Sequence, residues 1–147
     1  MKNDFSGIQS EIDAMQPDLV RIRRDLHRHP ETGWLEMRTT AILAKELRAL
    51  GYEIYTGRTV CKEGARLGVP DAQVLAAHAE QALAQGAPED ELTADVRAGY
   101  TGVIAILRCG EGPTVAMRFD IDALPMTECP QDAHRPTREG FASGHPG

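Results

Sequence analysis

Long hydrophobic runs are missing from this sequence. Nowhere does it approach the roughly 18 consecutive apolar residues that a membrane-spanning helix needs, and Met1-Lys2-Asn3-Asp4-Phe5-Ser6 carries no apolar stretch after its single lysine. The expectation is a chain with no membrane partner and a cytoplasmic location. Cysteine is scarce: Cys61, Cys109 and Cys129 are odd in number and lack Cys-x-x-Cys spacing. Neither a disulfide framework nor a structural zinc knuckle is indicated, and the three are expected to be reduced thiols, buried or inert. No Lys/Arg block occurs and the formal charge is −6, which argues against nucleic acid or an anionic membrane surface as a partner. Gly-x-Gly-x-x-Gly, Walker and Gly-x-Ser-x-Gly segments are also absent, removing dinucleotide, phosphate-loop and serine-hydrolase readings. Thiol catalysis has no partnered candidate.

What is present suits a single globular domain: 147 residues with 41% apolar content, enough for a core. Ile8, Ile12, Met15, Leu19, Ile22 and Leu26 recur at steps of four and three, predicting one buried stripe of an amphipathic helix from about Ser6 to His29. Ser6 and Gln9 fit a capping box. Pro17 implies either a kink or a second helix starting there, and Pro30 ends the helix. A second helix is predicted from about Leu35 to Leu50, burying Leu35, Ile42, Leu43, Leu47 and Leu50, with Gly51 as its left-handed cap.

Tyr52-Glu53-Ile54-Tyr55 alternates as a short strand. From about 57 to 98 the composition shifts to Ala, Gln, Glu and Asp, predicting an inserted helical pair at Asp71 to Gln85 and Glu89 to Arg97. Gly102 to Arg108 and Thr114 to Phe119 are β-branched, apolar runs joined by Gly110-Glu111-Gly112-Pro113, read as a β-hairpin. Val103 to Leu107 does not alternate, so that strand is expected to be covered on both faces, as in an α/β sheet.

Asp120 and Asp122 follow the second of these runs at spacing i, i+2. On an extended chain both carboxylates would face one side at the carboxyl end of a strand, the usual place for sites in open α/β sheets. Such a pair can hold a cation, orient a histidine or divide into acid and base; it can equally be a solvated strand end. His27-x-His29 suggests a metal pair, but on a helix residues two apart point about 200° away from each other. One of the two is better placed to pack under the helix terminus, where the dipole favours its charged form. His134 and His145 lie in loop-like sequence after the strand, and His134 is a candidate for substrate contact.

The Arg118-Phe119-Asp120-Ile121-Asp122-Ala123-Leu124-Pro125 run, with Arg23-Arg24-Asp25-Leu26-His27-Arg28-His29-Pro30-Glu31, resembles the metal-dependent amidohydrolases of the aminoacylase/carboxypeptidase family. Many members have a metal-binding His where this chain has Asp120. The departure, the insert with Arg66-Leu67-Gly68-Val69-Pro70-Asp71, and the His134-Arg135-Pro136…Gly140-Phe141-Ala142-Ser143 run resemble the branch that hydrolyses hippurate, indole-acetyl-amino acids and aminobenzoyl-glutamate.

The resemblance implies an α/β fold: the N-terminal part of a di-metal hydrolase catalytic domain, with two amphipathic helices, a helical insert and a hairpin of a mixed sheet. Residues 1–147 would be its incomplete front portion. It implies hydrolysis of an amide between an aromatic acyl group and an amino acid such as glutamate, with two divalent ions, Mn or Zn, activating water while a Glu acts as base. In the family, residues corresponding to Phe141 to Gly147 run into a Met-His-Ala-Cys-Gly-His-Asp motif that supplies metal ligands; this sequence does not contain it. The chain alone is therefore expected to be inactive and to hold no metal, with Asp122, and with it Asp120, beside the site of the complete enzyme. The competing expectation is a non-catalytic binding or dimerisation module that keeps part of the fold. A homo-oligomer and a partner subunit both remain open.

Overall fold

The computed structural model describes residues 6–144, with the backbone alone for Ser6. The described residues divide into two units, 6–30 with 125–144 and 31–124.

In the first unit, α1 runs unbroken from Ser6 to Arg28 with Pro17 inside it, so one helix, not two, carries the amino-terminal periodicity. Its predicted stripe is not buried: Ile8, Ile12, Met15 and Leu19 are each 49–52% exposed, and only the end near Ile22 and Leu26 is half-buried. The Ser6 side of the proposed capping box lies outside the described side chains, and Gln9 instead donates to Asp13 Oδ1 at 2.9 Å. The short helix α5, Arg135–Arg138, belongs to the same unit, where Phe141 is buried.

The second unit is built on α2, Met37–Ala49, and α3, Ala72–Ala84. Leu50 is exposed, and Ile42, Leu43 and Leu47 are half-buried. The buried residues of α2 are Met37, Arg38, Thr39, Thr40, Ala41 and Ala44, and the small Ala41 lets α3 approach closely with Leu75, Ala79 and Ala82. Leu92 and Val96 complete this core. Gly51 takes the left-handed conformation, φ 85°, that a helix end favours and a side chain would resist.

Asp71 caps α3, its Oδ1 accepting from Gln73 N and Val74 N at 3.0 and 2.9 Å. The second helix of the insert is only one turn, α4, Ala94–Arg97, capped by Thr93; residues 89–93 are turn and irregular backbone. Gly57, φ 68°, opens a short 3-10 turn, and a Cβ there would lie 2.8 Å from Asp95 Cβ.

The hairpin of the sequence reading does not form. β2, Val103–Ile106, pairs antiparallel with β1, Glu53–Thr56, in register Glu53 to Ile106 and Thr56 to Val103. The partner of β2 thus lies before the insert, while residues 107–130 include no strand. Val115, Met117 and Phe119 are 77–80% exposed, so a pattern suited to a strand goes without the neighbour that would bury it. Nor is β2 covered on both faces: Ile104 and Ile106 alternate with less exposed neighbours, as a two-stranded antiparallel ribbon allows. The observed architecture is mixed helices with one small antiparallel sheet.

Candidate functional site

Asp120 and Asp122 belong to the unit of residues 31–124, and His134 to the other. With no strand leading into them, the two aspartates are not the ordered end of a sheet. Asp120 is largely exposed and accepts from Arg118 Nη2 at 2.7 Å, two residues away; a surface pair of this kind contributes little. Asp122 is also exposed. Its charge nevertheless reaches Glu36, a buried residue that accepts from Thr101 Oγ1 at 2.7 Å. Burial pushes the Glu36 carboxyl upward, the Thr101 hydrogen bond works against that, and Asp122 adds to the upward push. Close by in the chain, the Ala123 amide donates to Glu31 O at 2.7 Å.

His134 is brought together with two residues that were not paired in the sequence reading. Its Nε2 lies 3.2 Å from Glu128 Oε2, and His27 Nε2 lies 2.5 Å from Glu128 Oε1. The Ser143 amide donates to Glu128 Oε2 at 3.2 Å, and the Gly144 amide to Arg28 O at 3.0 Å. Burial opposes ionisation of Glu128, but the Ser143 amide and the two imidazoles outweigh it and hold the carboxyl below its usual range. His29 goes elsewhere, to Asp25 O at 3.0 Å. The two histidines of His27-x-His29 therefore have different partners, as the helix requires. His145 lies outside the described residues.

A second carboxylate escaped the sequence reading. Glu31 is buried and accepts from Arg38 N at 2.8 Å and Thr39 N at 2.7 Å, with His78 Nε2 at 3.1 Å. It caps the first turn of α2 from seven residues upstream of Arg38, outside the three-residue spacing by which a cap is recognised. Both oxygens are committed to backbone amides, which makes Glu31 a structural carboxylate.

Among the described residues, no group of three or more His, Cys, Asp or Glu side chains could hold a metal ion. The His27–Glu128–His134 cluster shows why. Donors about 2.0–2.1 Å from one tetrahedral ion stand roughly 3.3 Å apart, whereas His27 Nε2 and Glu128 Oε1 are in direct contact at 2.5 Å. The described residues supply no ligand set for the metal pair, whose ligands the resemblance places outside this sequence. Of the thiols, Cys61 is half-buried and Cys109 and Cys129 are exposed, so burial is not what keeps the last two as thiols. No described helix is long and apolar enough to cross a membrane.

No protein-family model matches the chain. It is 44% identical over 137 residues to the indole-3-acetyl-aspartic acid hydrolase of Enterobacter agglomerans, covering 92% of this chain and 31% of that protein. It is 42% identical over 144 residues to a p-aminobenzoyl-glutamate hydrolase polypeptide of Escherichia coli strain K12, covering 97% of this chain and 33% of that protein. The crystal structure of an aminobenzoyl-glutamate utilization protein from Klebsiella pneumoniae superposes with a TM-score of 0.76 at 43% identity, over 79% of this chain and 29% of that one. The chain is a homologue of the p-aminobenzoyl-glutamate and indole-3-acetyl-aspartic acid hydrolases and spans about a third of their length.

Proposed function

We propose that this chain is the scaffold portion of a metal-dependent amide hydrolase, cytoplasmic in location, that cleaves an aromatic acyl group from an amino acid of the glutamate or aspartate type. The observation that carries the reading is the 42–44% identity, across nearly the whole chain, to two hydrolases whose names specify such amides. In this reading the ligands of the metal pair and the general base come from the remaining two thirds of the polypeptide, and these residues alone are inactive. Asp122 is the residue of this chain assigned to the site, where it orients a histidine supplied by that remainder; Asp120 flanks it, and His134 is assigned to the substrate side. What supports Asp122 is its exposed carboxylate beside the buried Glu36, which leaves it free for a partner from outside this segment.

The test uses a polypeptide that keeps these 147 residues and continues with the downstream sequence of the relatives. It should hydrolyse p-aminobenzoyl-glutamate when supplied with Mn²⁺, while the 147-residue chain does not. Asp122→Ala should reduce turnover roughly 10- to 100-fold, the usual cost of losing a group that orients a metal ligand, and Asp132→Ala should leave it unchanged. No turnover in the continued polypeptide would overturn the hydrolase reading; wild-type turnover in Asp122→Ala would overturn only the role of Asp122.

A further inference from the structure

In the second unit, the segment that carries Asp122 has little to hold it. Residues 110–124 include no strand, and Val115, Met117 and Phe119 are exposed, so packing does not fix their course. Among the described residues, one hydrogen bond ties this stretch to another part of its unit: the Ala123 amide donates to Glu31 O at 2.7 Å. The placement of Asp122, the residue just before that amide, therefore follows the Glu31 carbonyl. The charge of Asp122 is felt at the other end of the same turn, by Glu36.

That turn, residues 31–36, carries strain. Trp34 holds φ 67°, a left-handed conformation that costs a bulky side chain on the order of 1–2 kcal/mol. Such a residue persists only where its surroundings over-determine it. From α2, the Arg38 and Thr39 amides hold the Glu31 carboxylate, and Thr101 holds Glu36. The remaining fastenings come from the insert of residues 57–98. His78 Nε2, on α3, lies 3.1 Å from Glu31 Oε1, with the His78 side chain only 14% exposed. An ionised carboxylate only accepts, so Nε2 carries the proton. Trp34 Nε1 donates to Leu67 O at 2.7 Å.

We propose that the insert positions Asp122: His78 and the Leu67 carbonyl hold the turn of residues 31–36, and its Glu31 carbonyl fixes the amide that follows Asp122. His78 is a positioning residue, acting through Glu31 and not on the reacting atoms. The effect on turnover rests on the hydrolase reading, whereas the coupling is a property of these residues alone.

Two measurements test it. In the 147-residue chain, native-state hydrogen exchange followed by NMR should show the Ala123 amide protected relative to that of Phe119. His78→Leu should speed Ala123 exchange at least roughly tenfold and leave Ala44, near the centre of α2, unchanged. Trp34→Phe, which keeps a ring and loses the N–H, should act in the same direction. In the polypeptide continued with the downstream sequence of the relatives, His78→Leu should lower kcat roughly tenfold or more with KM little changed, as a small misplacement far from the chemistry does. His78→Gln, whose amide can donate from a similar position, should recover most of the loss in both measurements. An Ala123 amide that exchanges as fast as Phe119 in the wild type, or Ala123 and Ala44 accelerating together in His78→Leu, would overturn the coupling. Wild-type kcat in His78→Leu would overturn the positioning role. A continued polypeptide with no turnover at all would instead overturn the hydrolase reading, and with it the effect on turnover, leaving Ala123 exchange to decide the coupling.

Discussion

Glu31, Glu36 and Glu128 differ in what surrounds their carboxylates, and for the first two the difference has a measurable consequence. Glu31 satisfies two orphan amides of α2. Glu31→Ala leaves both buried donors without a partner, and the combined loss of a cap and of buried hydrogen bonds is expected to lower stability by about 2–4 kcal/mol. Glu31→Gln keeps one oxygen acceptor and should lose less; urea unfolding midpoints of the two variants separate the cases. Glu36 acts through its protonation instead. Its carboxyl is raised in the folded chain, chiefly by burial, so the folded state holds this proton more tightly than the unfolded state. Its contribution is fully present below its unfolded value and is lost as pH rises through the raised one. Glu36→Gln, which can still accept from Thr101, should therefore flatten the fall in stability above the ordinary carboxylate range, as read from melts between acid and neutral pH. An unchanged slope in that variant would remove Glu36 as its source. None of these three roles is legible at the residue level alone: the partners of Glu31 lie seven and eight positions on, with His78 further still, and only the fold brings Glu128 to His27.

Individual elements were readable where local chemistry dominates, and misread where burial depends on a distant partner. Asp71 and Gly51 mark helix boundaries through their own side chain or its absence, and α2, α3 and β1 fall within a few residues of their predicted limits. The periodicity of α1 was equally clear, but periodicity reports a face and not what covers it; Ile8, Ile12, Met15 and Leu19 remain half exposed. The same reason undid the hairpin. Thr114 to Phe119 has the composition of a strand, yet β2 is already paired to Glu53–Thr56 across the insert, a connection that no short-range turn signal announces. At the candidate site, the strand-end placement of Asp120 and Asp122 went with that strand, because it depended on a pairing partner that the local pattern does not name. The family resemblance was carried by order and spacing of short motifs along the chain, and it survived errors in the elements between them.

On the scale of the whole chain, apolar burial is distributed unevenly. Met37, Ala41, Leu75, Ala79, Ala82, Leu92 and Val96 all lie in residues 31–124, whereas Phe141 is the one fully buried apolar side chain among the described residues of the other unit. That unit relies instead on polar ties: Arg24 to Glu139, Glu128 to His27 and His134, and the Gly144 amide to Arg28 O. Partly exposed ion pairs contribute far less than a packed core. Local opening should therefore begin in residues 6–28 and 125–144, since regions with few buried apolar contacts open at lower free energy. Native-state hydrogen exchange of the 147-residue chain should show amides of α1 and of residues 134–144 exchanging at least roughly tenfold faster than those at the centre of α2 and α3. Phe141→Ala should widen the gap, because removing a buried aromatic side chain costs about 3–5 kcal/mol and the described residues of this unit include no second one to share the load. Equal protection of α1 and α3, or a Phe141→Ala variant in which α1 exchanges no faster, would show that α1 is held by something other than the contacts described for its unit.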